Sequence, residues 1–247
     1  MAIRFARIRV VGRSKGFNAC QRASYNANIT IKDNRINKIF YFKGNITNVY
    51  HLILLPSFVH INYKLASNLM NEVERCEKKR NSQLLKEYVL ALPDEAEISL
   101  DNRIELTLRF IEKMKFINND LGVQVDIHQP IEGESNWYAK ILVTTRRFTK
   151  DGMALGEKAR DLEIQVRKSK SRSFIPNQEK DDIGEIWGEI QNNYFQELGL
   201  SLRVKEVKEI SDEHIGVKKY GIIAEQNRFL KQLNKDQFNP SSSRKSL

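Results

Sequence analysis

The sequence predicts an α+β domain built on a largely antiparallel sheet with flanking helices. Three observations carry that expectation. Short runs alternate apolar and polar residues, as in Val125 to His128 and Asn136 to Arg146, and period two sends successive side chains to opposite faces of a strand. Turn-forming pairs such as Asp33-Asn34 separate neighbouring runs at hairpin distance. Helical and strand-like segments follow one another irregularly, without the strict βαβ order of a parallel sheet.

Each element has its own warrant. Ile3 to Val11 reads as a first strand, apolar on both faces and therefore expected to be central. Ser14-Lys15-Gly16 ends it, and Phe17 to Asn28 carries helical spacing. Ile29 to Lys32 and Ile36 to Phe42 are expected to form a hairpin, and Val49 to Leu55 a strand stopped by Pro56. Leu65 to Lys79 predicts a helix whose buried stripe is Leu65, Leu69, Val73 and Cys76. Leu84 to Leu92 is a strand ended by Pro93. Ser99-Leu100-Asp101 then opens a helix carrying Ile104, Leu108, Ile111, Met114 and Ile117.

Two strands expected to be half-buried follow. Their polar faces are Gln124, Asp126 and His128 on the first, and Tyr138, Lys140 and Thr144 on the second. Lys150 to about Lys180 is polar and shows no clear period. Asp182 begins the last strong helix, with Glu185 as capping-box partner and a stripe of Ile183, Ile186, Trp187, Ile190, Tyr194 and Leu198, closed by Gly199. The expected organisation is one domain over 1–205, a C-terminal extension with a helical segment over 206–233, and a polar, Ser-rich disordered tail over 234–247.

Composition narrows the function class. The chain has 247 residues, enough to bury a proper core, and no apolar run approaches membrane-spanning length. Cys20 and Cys76 form neither a disulfide framework nor a zinc spacing, so a reducing cytoplasm is the expected compartment. The net charge of +10 favours a polyanionic partner, because neutralised phosphates release counterions. Arg4, Arg7, Arg9, Arg13 and Lys15 fall in the first sixteen residues without an acid. A second cluster, Arg167 to Arg172, fits a solvated loop or a phosphate contact equally well.

Three constellations could carry chemistry. Tyr25 projects away from the apolar stripe of its helix, alongside Asn18 and Arg22. That placement suits either an idle surface tyrosine or a nucleophile that meets a phosphate. Glu87, beside Lys86, is either an outward strand carboxylate or a group that takes a proton or orients a ligand. His128 is either a structural strand residue or a metal ligand.

These segments together resemble the MobA/MobL family of conjugative relaxases within the HUH endonucleases. The similarity rests on Ile3-Arg4-Phe5, on Gly16 through Tyr25, and on Lys86 through Pro93. It continues in Asp126-Ile127-His128-Gln129-Pro130, in Asn136 through Arg146, and in Glu213-His214-Ile215-Gly216. The resemblance implies a palm-like sheet, with Tyr25 as the nucleophile that attacks a scissile DNA phosphate and keeps the new 5′ end. It implies a divalent metal (Mg, Mn or Zn) held by three imidazoles. Here only His128 matches, because Tyr138 and Lys140 stand at the other two ligand positions.

The departure predicts weak or absent metal binding. A protonated lysine repels a divalent ion, and a neutral phenol is a poor ligand. DNA contacts are expected from Arg7, Arg9, Arg13, Arg22, Lys140 and Arg146. The resemblance further implies a bacterial cytoplasmic protein, single-stranded origin-of-transfer DNA as partner, and other conjugation proteins alongside. Longer members continue into a helicase region, and no G-x-x-x-x-G-K-[ST] loop occurs here, so a truncated relative is expected. The leading expectation is a degenerate relaxase domain with impaired nicking. The rivals are an active enzyme using Tyr25 with a lysine-modified phosphate site, and a non-catalytic nucleic-acid adaptor.

Overall fold

A computed structural model describes residues 4–41, 47–94, 96–131, 137–162 and 183–204. The chain divides into two compact units, Met1–Val204 and Lys205–Leu247, and every described residue lies in the first. Expectations for the 167–172 cluster, for His214, for the extension and for the tail fall outside the described residues.

Five strands make the main sheet: β1 (Ala6–Gly12), β4 (Asn48–Leu54), β5 (Gln83–Leu92), β6 (Val123–His128) and β7 (Trp137–Thr144). Their spatial order is β1-β5-β7-β6-β4, and every neighbouring pair is antiparallel. Two short hairpins accompany it, β2 (Ile31–Asp33) with β3 (Lys38–Phe40), and β8 (Arg146–Phe148) with β9 (Leu155–Lys158). The helices are α1 (Ala19–Ala27), α2 (Ala66–Cys76), α3 (Leu100–Lys113) and α4 (Ile183–Glu197).

The sheet is covered on both faces. Tyr88, Leu90, Val125, Ile127, Ala139, Ile141 and Val143 pack on one side with Leu106 and Phe110 of α3 and Trp187 and Phe195 of α4. On the other side Val11, Ile53, Leu85 and Leu142 meet Cys20 and Ala23 of α1 and Leu69, Met70 and Val73 of α2. This double cover explains two departures from expectation. β1 is an edge strand, because helices over both faces bury an edge as well as a centre. β6 and β7 are buried on both faces rather than half-buried, so their polar residues face α1 and not water.

Three smaller differences have local causes. Leu65 is 62% exposed, because it stands at the N-cap of α2 rather than inside it. Leu198 lies one residue beyond α4 and is exposed. The polar stretch after Lys150 contains β9, which is held by pairing with β8 rather than by any pattern of its own. The β2–β3 turn does form where Asp33 predicts it, as its Oδ1 accepts from the backbone N–H of Arg35 (2.7 Å) and Ile36 (3.3 Å).

Candidate active site beneath helix α1

α1 begins at a side-chain cap, with Asn18 Oδ1 accepting from Gln21 N at 2.9 Å, and ends on Asn28 in the left-handed region at φ 56°. These two stops fix which residues face the sheet. Small residues Ala19, Ala23 and Ala27 allow a close approach, and Arg22 and Asn26 then reach the polar face of the strands.

That face is ordered by the register. Arg7, Val89, Lys140, Asp126 and His51 form one row across all five strands. The next row contains Arg9, Glu87 and Leu142, and a third pairs Tyr138 with His128. Residues directly opposite in antiparallel strands share a face. The structure therefore brings Tyr25, Glu87, His128, Tyr138, Lys140, Arg7, Arg9 and Arg22 to one side of the sheet.

Glu87 is fully buried and accepts a bidentate pair from Arg22, Nε at 2.7 Å and Nη2 at 2.6 Å. Asn26 Nδ2 adds a bond at 3.2 Å, and Arg9 Nε lies 3.8 Å away. Burial alone would raise the carboxyl, but Arg22, Arg9 and Lys140 together hold it below its usual value. Arg22 does neighbour Tyr25 as its helical projection predicts, its Cζ 5.7 Å from the ring centroid, but it is a buried partner of Glu87 rather than exposed. The projection assumes an apolar sheet under the helix, and this sheet offers a carboxylate.

Lys140 is 2% exposed. Its Nζ lies 4.5 Å from the centroid of the Tyr25 ring and 5.2 Å from that of Tyr138. Burial, then Arg22, brings its ammonium down to about 7, against the pull of Glu87 and Asp126. Tyr138 stacks on His128 with centroids 4.9 Å apart and planes 8° from parallel. His128 Nδ1 pairs with Thr47 Oγ1 at 2.9 Å, while its buried Nε2 carries no hydrogen bond. Burial, then Lys140, pushes its imidazole well below the ordinary histidine value.

Asp126 and His51 complete the cluster, and sequence reasoning did not single out His51. Its Nδ1 pairs with Asp126 Oδ1 at 2.7 Å, and Gln124 Nε2 donates to Asp126 Oδ2 at 2.7 Å. Burial raises the Asp126 carboxyl, with His51 and Gln124 opposing. The available signal was the period of β4, which puts His51 on the face of Ile53 and opposite Leu52. Among the described residues, no group of three His, Cys, Asp or Glu side chains is arranged to hold a metal ion.

The expected DNA-contact residues divide. The Arg7 side chain has no hydrogen bond or ion pair among the described residues, while its backbone pairs with Val89. Arg13 is tied to Glu74 at 2.8 Å and to the Glu77 carbonyl at 2.7 Å. Arg146 is tied to Glu77 at 2.8 Å and to the Gly156 carbonyl at 2.8 Å. Both sit away from Tyr25, around α2.

Helix α1 thus lays Tyr25 over the polar face of an antiparallel sheet. The model of the MobA/MobL family matches residues 18–225, and the chain belongs to that family. It is also similar to a solved chain described as "Molecular Basis of Vancomycin Resistance Transfer in Staphylococcus aureus". The two share 26% identity with a TM-score of 0.66, covering 83% of this chain and 98% of that one. No curated protein matches the chain. No helix among the described residues is long and apolar enough to cross a membrane.

Proposed function

We propose that this MobA/MobL domain binds the single-stranded DNA of an origin of transfer but has lost efficient metal-dependent nicking. The observation that carries this reading is Lys140, a buried cation at a position where the family resemblance calls for an imidazole. A divalent ion placed beside His128 would meet that ammonium, with a phenol as its other neighbour. The residues present do not fit the metal.

Binding does not depend on the ion. Within the cluster Arg9, Arg22 and a partly protonated Lys140 face Glu87 and Asp126, so the acids under α1 are balanced by cations. Arg7, in the same row as Lys140, supplies a cation without a carboxylate partner among the described residues. Phosphate contacts of this kind account for most of the affinity for a nucleic-acid backbone.

One contact favours a second reading, an active enzyme, because Tyr25 lies against the Lys140 ammonium. In that reaction Tyr25 Oη bonds to phosphorus as the P–O3′ bond breaks. The product is a 5′-phosphotyrosine with a free 3′ hydroxyl, and the phenol proton passes to the departing oxygen by way of solvent. Lys140 would stabilise the phosphate charge. The adaptor reading is less favoured, because it needs exposed stacking aromatics on the sheet. Trp137 is buried and Tyr138 is already stacked on His128.

The deciding experiment incubates the protein with supercoiled DNA carrying its cognate origin, in manganese and in chelator, and looks for a covalent adduct on a denaturing gel. No adduct in either condition, together with salt-sensitive binding, is the expected result. A Tyr25-dependent adduct would establish the active enzyme instead. Absence of DNA binding at low salt would remove both.

A further inference from the structure

A second concave surface lies on the outer side of α2, and none of its lining residues belongs to the Tyr25 cluster. It is a cleft of about 720 Å³, within the range of roughly 300–1,000 Å³ usual for ligand sites. Its walls come from the β2–β3 turn, the 3-10 turn Ile61–Lys64, α2 and the β8–β9 hairpin. The turn and the hairpin are fastened to each other, since His60 N donates to Gly152 O at 3.1 Å and Tyr63 Oη to Met153 O at 2.7 Å. The cleft is therefore built by tertiary contacts and not by one loose loop.

Its two carboxylates are already neutralised. Glu72 accepts both arms of Arg75 at 2.6 Å and the backbone N–H of Leu155 at 2.9 Å. Glu74 holds Arg13 and Arg35, each at 2.8 Å, and the Ala19 N–H at 2.7 Å. What remains available is cationic or amidic. Lys78 is exposed and has no partner among the described residues, and the same holds for the side-chain amides of Asn34 and Asn62. Asn68 spends its Nδ2 on the Asn62 carbonyl at 2.9 Å, which leaves its Oδ1 open. Tyr63 adds the edge of an aromatic ring to the wall, the ring itself being packed at a tilt on Phe148 with centroids 5.2 Å apart.

One free cation, free amides and an aromatic ring around one cleft are the chemistry that holds a short single strand. Phosphates take the positive charge, and bases take stacking and edge hydrogen bonds. We propose that this cleft is a second single-stranded DNA site, holding a stretch of the strand that does not lie under α1. The proposal rests on the DNA-binding reading above and adds where the rest of the strand goes.

The test uses the whole protein and fluorescein-labelled dT12, with binding followed by anisotropy across a salt series. Asn34→Ala with Asn62→Ala removes two amides without changing charge, and neither side chain has a partner to lose among the described residues. That double variant should bind at least about fivefold more weakly, with an unchanged melting temperature and salt slope. Lys78→Ala should lower the log–log salt slope by roughly 0.7, the share of one neutralised phosphate on a single strand. If wild type binds dT12 and the amide double variant binds it equally well, the cleft assignment is overturned while DNA binding stands. If wild type does not bind dT12 at low salt, the DNA-binding reading fails and the cleft falls with it.

Discussion

The Tyr25 ring lies against the Lys140 ammonium, 4.5 Å from centroid to Nζ, and closes a buried cation off from solvent. The residue that family resemblance makes a nucleophile is therefore packed on the residue that displaces a ligand. A cation facing an aromatic ring is worth about 0.5–2 kcal/mol, more as it is desolvated. The contact gives Tyr25 a structural role whether or not chemistry survives.

Substitutions at Tyr25 separate the two roles. Tyr25→Phe keeps the ring and should change stability little. Tyr25→Ala removes it and should cost about 1–2 kcal/mol. Urea unfolding of both variants checks this, and equal effects would mean that the ring contributes nothing.

Restoring the ligand set should restore a metal site. Wild type is expected to show no tight stoichiometric binding of manganese or zinc by calorimetry. The double substitution Tyr138→His, Lys140→His places imidazoles beside and diagonal to His128 across the β6–β7 pair, and should create such a site. A double variant that still binds no ion would show that the supporting groups around His128 have changed as well.

Glu87→Gln should be costly, because it leaves Arg22 buried without its counter-charge. Breaking a buried pair in this way typically costs about 3–5 kcal/mol. The pH dependence has a definite sign. The Glu87 carboxyl is held below its usual value of 4.5, so its stabilisation is fully present above that pH and is lost as pH falls through the lower folded value. The stability difference between wild type and variant should therefore begin to shrink as pH falls below 4.5. A gap that stays constant down to pH 3 would mean that the ion pair is not its source.

Arg7 and Arg22 should behave oppositely. The Arg7 side chain has no internal partner among the described residues, so Arg7→Ala should weaken single-stranded DNA binding and leave the melting temperature unchanged. Arg22 neutralises Glu87 at 2.6 Å, so Arg22→Ala should lower the melting temperature first. Anisotropy and thermal unfolding on the same preparations would reveal a reversal.

Thiol reactivity offers a check on packing. Burial, then Glu72, pushes the Cys76 thiol up to about 11, and burial raises Cys20 further. Only the thiolate alkylates readily. Iodoacetamide should leave both nearly unmodified at pH 8, with Cys76 labelling faster as pH approaches 11 and Cys20 reacting only on unfolding. Rapid labelling of Cys20 in the folded protein at pH 8 would mean that α1 does not pack as described.

Much of the fold was legible because it is written in local periods. The alternation in Val123–His128 and Trp137–Thr144, the stripe of Ile186, Trp187 and Ile190, and the Asp33 turn each depend on neighbours within a few residues. The ligand positions could be located the same way, since Tyr138 and Lys140 are two apart on one strand. These elements, the basic balance and the single histidine, His128, among the three positions that the family resemblance makes ligands can be read from the chain alone. What the polar faces meet follows only from how the elements pack. Arg22 and Glu87 are 65 positions apart, and His51 and Asp126 are 75 apart, with no shared pattern to link them. Register across five strands and the packing of α1 bring them together, and a buried charge is stable only where such long-range partners arrive.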